Sequence, residues 1–136
     1  MPCVRRSTRA LLLFVAGSLS TVTLTGRPSV ESQEPPKNLA AQAEAAQRSG
    51  DYRAAAQIYE EMLKAAPHAA EVRANLGLMH HLLGEYPAAI REFRTALQEN
   101  SHLFVPNLFL GLDLLQVEKP REAVPYLERA RDLNPG

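Results

Sequence analysis

The chain has 136 residues, of which 46% are hydrophobic, enough for one ordinary domain with a buried core. Aromatic residues make up only 6% and Trp is absent, while Ala and Leu are abundant, a composition that favours helix. Formal net charge is zero, and without a basic excess the chain lacks the electrostatic footprint of nucleic-acid binding.

Charge is distributed unevenly along the chain. Residues 1–30 carry Arg5, Arg6, Arg9 and Arg27 and no acid, which leaves 11 basic against 15 acidic residues in the remainder. Arg5, Arg6 and Arg9 precede an apolar run from Ala10 to Ala16 that weakens through Ser18, Ser20, Thr21, Thr23 and Thr25. That is the basic head and short apolar body of an export signal. A spanning helix wants roughly 20 strongly apolar residues, so residues 1–26 are expected to be a signal peptide, with an uncleaved anchor or a mitochondrial-type presequence as alternatives. The expected location is therefore periplasmic or secreted, or membrane-anchored through this segment alone. Cys3 is the single cysteine and precedes the apolar run, so removal of the signal leaves no thiol chemistry. Residues 27–36, with Pro28, Pro35 and Pro36 and little to bury, read as a disordered linker.

From residue 36 onward the sequence matches itself at an offset of 34. Gly50 aligns with Gly84, Tyr52 with Tyr86, and Ala55 with Ala89 and Ala123. Tyr59 aligns with Phe93 and Leu127, Leu76-Gly77 with Leu110-Gly111, and Pro67 with Pro135. The small alanines suit a close helix crossing, and the larger residue one turn later fills the space beside it. Gly50 and Gly84 suit the left-handed stop of a helix, and Pro87 the first turn of the next. The periodicity predicts helices near 37–49, 52–65, 70–83, 86–99, 104–117 and 120–133. Pro125 falls about one turn into the last helix, which therefore either starts late or loses one hydrogen bond.

A 34-residue helix-turn-helix period with W-x2-LG-x2-Y, then A-x3-F, then P is the pattern of the tetratricopeptide repeat (TPR). The middle copy reads Arg73, Leu76-Gly77, His80, Ala89, Phe93 and Ser101, and the third Asn107, Leu110-Gly111, Leu114, Ala123, Leu127 and Pro135. The first, Leu39, Gln42-Ala43, Ala46, Ala55, Tyr59 and Pro67, is weaker. Over about three quarters of its length the chain thus resembles a TPR protein with three tandem repeats, about 36–69, 70–103 and 104–136. The resemblance implies an all-α fold, a right-handed α-solenoid of antiparallel helix pairs with about six helices over residues 37–136. Leu76, Gly77, Ala89, Phe93, Leu110, Ala123 and Leu127 are expected to be core.

In this family the first helix of each repeat lines a concave groove. The resemblance places Lys37, Ala40, Ala41, Glu44, Gln47 and Arg48 on it from the first repeat. The second contributes Glu71, Ala74, Asn75, Leu78, His81 and Leu82, and the third Val105, Leu108, Phe109, Leu112, Leu115 and Gln116. The groove grades from charged to apolar, and a sizeable exposed apolar patch marks a partner site. Asn75, Leu78, His81, Leu82, Leu108, Phe109, Leu112 and Leu115 are the candidate contacts for an apolar helix face or an extended peptide. The competing reading is that some of these leucines pack against the neighbouring repeat. Members of the family that grip a carboxylate tail use Lys, Arg and Asn at positions that here hold Ala40, Glu44, Asn75, Val105 and Phe109. Only Asn75 fits, and the missing cations argue against an acidic C-terminal tail as ligand.

Chemistry finds no foothold in the sequence. His80 and His81 diverge by about 100° on a helix and cannot chelate together. His68 and His102 recur in the turns between repeats. Glu60, Glu61, Glu85 and Glu92 are expected on a solvated face, and no hydrolase, zinc-protease or phosphate-loop motif is present. No catalytic, cofactor-binding or metal residue is therefore expected, and no cofactor; the chain is not expected to be an enzyme. The expected role is an exported adaptor or scaffold that binds a protein or peptide. The alternatives are the front part of a longer protein with an enzymatic or sensor domain, and a self-associating structural repeat. Terminal repeats need a polar cap. Arg131 replaces Leu63 and Leu97, but Val124, Leu133 and Tyr126 remain to be covered, so the isolated chain is expected either to form homo-oligomers through its last helix or to be a piece of a longer solenoid.

Overall fold

The computed structural model describes residues 39–136. The expected signal, the linker and Lys37 lie outside the described residues. Six α-helices follow one another: α1 (Leu39–Ser49), α2 (Tyr52–Ala65), α3 (Ala70–Leu82), α4 (Tyr86–Glu99), α5 (Phe104–Gln116) and α6 (Pro120–Leu133). These match the spans expected from the period to within two residues. Each helix packs on its neighbours in the chain, and α3 also packs directly on α5. The result is a stack of helix pairs in which the first helices of the second and third pairs, α3 and α5, lie against each other.

Local chemistry sets the boundaries. Asp51 caps α2, its side chain accepting from the Ala54 amide at 3.0 Å. Gly50 and Gly84 turn the chain between the helices of a pair in the left-handed region, φ +79° and +73°, at no steric cost. Helix α6 begins at Pro120 and runs through Pro125. The helix therefore does not start late; it forgoes the hydrogen bond that the Arg121 carbonyl would accept.

Two clusters form the core. Ala43, Ala55, Tyr59, Leu63, Leu76 and Met79 make one, and Ala89, Ile90, Phe93, Leu110, Leu114 and Ala123 the other. Leu78 packs on both and ties them together. Of the expected core residues Leu127 alone is half-buried, resting on the second cluster. Gly77 and Gly111 sit where α3 and α5 cross the following helix. A β-carbon there would come within 2.8 Å of the Phe93 ring and 2.5 Å of Leu127, respectively. On the far side of α6, Val124 is 50% exposed, whereas Ile90, in the same repeat position, is 8% exposed. Leu133 and Tyr126 are half-buried, so the end is better covered than the repeat pattern suggested. Among the described residues no helix is long and apolar enough to cross a membrane.

In the second and third repeats the position that holds Trp in the family pattern ties the preceding turn to its repeat. Arg73 donates to the Pro67 carbonyl at 2.8 Å and to Glu92 at 2.9 Å. Asn107, 34 residues on, donates to Ser101 at 3.1 Å and Leu103 at 2.7 Å. Glu92 is thus half-buried and paired rather than on a free solvated face. Glu85 accepts from Arg53 and His80, and these bonds, His80's first, hold its carboxyl below the usual range.

Candidate partner-binding groove

The inner face is built by α3 and α5, which lie side by side. On α5 the residues at 105, 108, 112 and 115 recur at helical spacing and form one stripe. Leu82, Val105, Leu112 and Leu115 are large apolar residues left 45%, 37%, 37% and 43% exposed. Val124 is the fifth such residue on the described surface, so four of five gather where the repeat register places the groove.

The structure divides the expected contacts into two sets. Leu82, Leu112 and Leu115 are open to solvent, while Leu108 is half-buried. Leu78 and Phe109 belong largely to packing. Leu78 bridges the two cores, and Phe109 lies against the second, its ring 6.3 Å from that of Phe93. Asn75, half-buried, opens onto a cavity of about 200 Å3 with Glu71, Phe104 and Val105, at the N-terminal ends of α3 and α5. At the first repeat Gln47 accepts from the Tyr59 hydroxyl at 2.9 Å. Burial, and then Glu44, push that hydroxyl's pKa up.

His81 is not a free groove residue. Its Nδ1 lies 2.5 Å from Oδ1 of Asp113, which is fully buried. The ring meets Phe109 edge-on at 4.7 Å and Tyr86 at 5.8 Å. Burial raises the Asp113 carboxyl above its ordinary pKa, and the bond to His81 pulls the other way. Sequence reasoning missed Asp113, although a signal was present. It stands 34 residues after Met79, so a carboxylate occupies a register position that is core in the repeat before. His80 turns elsewhere, its Nδ1 2.7 Å from Glu85, as the divergence of adjacent helical residues requires. His68 pairs with Glu99 at 2.9 Å, and no cluster able to hold a metal ion occurs among the described residues.

Comparisons with known proteins agree with this geometry. Residues 40–102 match the model of the tetratricopeptide repeat family. A search of the curated proteins finds no significant match. Among solved structures, the first TPR of Spaghetti (RPAP3) bound to an HSP90 peptide superposes with a TM-score of 0.69 at 20% identity, over 72% of this chain and 78% of that one. The TPR2B domain of yeast Sti1 in its pHsp70 complex gives 0.67 at 21% identity, over 71% and 78%. An O-GlcNAc transferase from Thermobaculum terrenum gives 0.67 at 30% identity; 73% of this chain matches 19% of the transferase. Together with the 34-residue register and the six paired helices, these matches identify the helical part of this chain as a stack of three repeats of the tetratricopeptide family.

Proposed function

We propose that the chain is a protein-interaction module that holds a segment of a partner protein against the inner face of α3 and α5. One observation carries this reading: the exposure of Leu82, Val105, Leu112 and Leu115 on a single face, where solvated leucines cost stability unless something covers them. The peptide complexes among the structural neighbours support peptide binding as a use of the fold. Their ligands do not carry over, because the positions that would grip a carboxylate tail hold Ala40, Glu44, Val105 and Phe109. Affinity capture with the full chain and its Leu112→Asp variant tests the reading. A partner held by the first and lost from the second, with helical circular dichroism unchanged, supports the groove. A partner retained by the folded variant places the site elsewhere.

The same reading has the module working after export, on the strength of Arg5, Arg6, Arg9 and the apolar run behind them. Sequencing the N-terminus of secreted material should find a mature start between Thr21 and Glu31; an intact Met1 in a membrane fraction would indicate an anchor instead. A second reading, in which these repeats serve a longer enzyme, is favoured by the match to a glycosyltransferase chain of which they cover 19%. The mass of the native protein separates it from the first.

A further inference from the structure

Packing does not account for Asp113. It is fully buried at the register of Met79, with His81 Nδ1 on Oδ1 and no partner for Oδ2 among the described residues. A methionine there would bury apolar surface and desolvate no charge. The carboxylate instead acts on the histidine. An ionised carboxylate only accepts hydrogen bonds, so it fixes the imidazole proton on Nδ1 and leaves Nε2 a bare acceptor. Phe109 and Tyr86 hold the ring edge-on, its side chain stays 20% exposed, and Nε2 has no hydrogen-bond partner among the described residues. The titratable groups against the ring are Asp113 from α5 and Tyr86 from α4; on α3 itself His80 is turned to Glu85. Leu82, beside it in sequence, and Leu112 and Leu115 on α5 are the exposed apolar residues of the same face. Among the groove positions of the second and third repeats Glu71 is the one charged residue, which suits a donor or cation on the partner.

We propose that His81, set by Asp113, is the polar anchor of the groove: Nε2 accepts a hydrogen bond from a hydroxyl, amide or ammonium donor on an otherwise apolar partner segment and fixes its register. This rests on the groove reading above and adds the chemistry it selects. A segment without the donor would cover Nε2 and leave it unpaired, which lowers affinity about 10-fold or more.

Two measurements on the full chain test this. Long-range 15N–1H NMR reads the tautomer without any partner. The proton on Nδ1 and a bare Nε2 are expected; a proton on Nε2, from a neutral Asp113 donating to Nδ1, overturns the proposal. The second uses a phage-displayed library of amphipathic peptides with spaced leucines and randomised positions between them, selected at pH 7.5. Selected peptides should share Ser, Thr, Asn, Gln or Lys at one fixed offset from the leucines. Their affinity should fall about 10-fold for His81→Leu, and likewise for the double variant His81→Leu/Asp113→Met, which leaves no buried carboxylate unpaired. Peptides that depend on Leu112 but show no donor preference and no loss in the double variant refute the anchor and leave the groove standing. Peptides carrying Asp or Glu at that offset reverse the assigned polarity and refute it too. Binders indifferent to Leu112→Asp, or no binders, count against groove and anchor together.

Discussion

Glu118 adopts the left-handed turn that Gly84 makes 34 residues before it, with φ of +60° against +73°. The same turn in the first repeat belongs to Gly50. A residue with a β-carbon costs about 1–2 kcal/mol in this region, partly offset because glycine loses more freedom on folding. Glu118→Gly should therefore stabilise the module by about 0.5–1 kcal/mol in urea unfolding. Gly84→Ala should cost a similar amount. An unchanged midpoint for Glu118→Gly would mean that its side chain earns back the strain.

Gly77 and Gly111 occupy one repeat position but do not face equal neighbours. At Gly77 a β-carbon would strike the Phe93 ring, which is fully buried and has nowhere to go. At Gly111 it would strike Leu127, which is half-buried and has other rotamers. Gly77→Ala should cost about 1–3 kcal/mol, as overpacking does, and Gly111→Ala distinctly less. Equal losses would show that Leu127 is as confined as Phe93.

Repetition is what made this fold readable. Each helix boundary is signalled two or three times over, so Gly50 and Gly84, or Ala55, Ala89 and Ala123, correct one another's ambiguity. What the register could not show is how a position is used once its residue departs from the pattern. Asp113 drew no notice because an acid on a helix usually lies on its solvated face. Glu92 looked solvated because Arg73, its partner at 2.9 Å, lies 19 residues away. Leu78 and Leu112 share a register position, yet one bridges two cores and the other faces solvent; only the packing of α3 between its neighbours separates them.

That separation is measurable. Leu78→Asp should cost more than about 3 kcal/mol, since a carboxylate without a partner would enter the core. Leu112→Asp should stay within about 1 kcal/mol of wild type, because the side chain is already 37% exposed. Thermal unfolding of the two variants decides it, and similar losses would mean that Leu112 is also core.

Pro125 interrupts α6 without ending it. Restoring the amide with Pro125→Ala returns one backbone hydrogen bond and removes the ring's clash with the preceding turn, a change of up to about 3 kcal/mol in a helix interior. A gain of at least about 1 kcal/mol is expected in urea unfolding. No gain would indicate that the turn around Arg121 is satisfied by water and unstrained.

The Asp113–His81 pair makes the last prediction, and its sign follows from burial. The pKa of the Asp113 carboxyl is raised above that of an ordinary aspartate, chiefly by desolvation. A carboxyl with a higher pKa in the folded state holds its proton more tightly there. Its contribution to stability is thus complete below the ordinary value and is lost as pH rises through the folded one. Asp113→Asn does not titrate, so its urea midpoint relative to wild type should move in the variant's favour as pH rises from below to above the ordinary carboxylate range. A flat difference would mean that the bond to His81 offsets burial in full. At pH 7, His81→Leu alone leaves the buried carboxylate without its partner and should destabilise. His81→Leu/Asp113→Met, which copies the residues that Leu115 and Met79 supply at those register positions, should instead be neutral or more stable than wild type, by up to about 4 kcal/mol. A double variant clearly less stable than wild type would make the pair a structural brace, with no need of a partner to explain why a charge sits in this core.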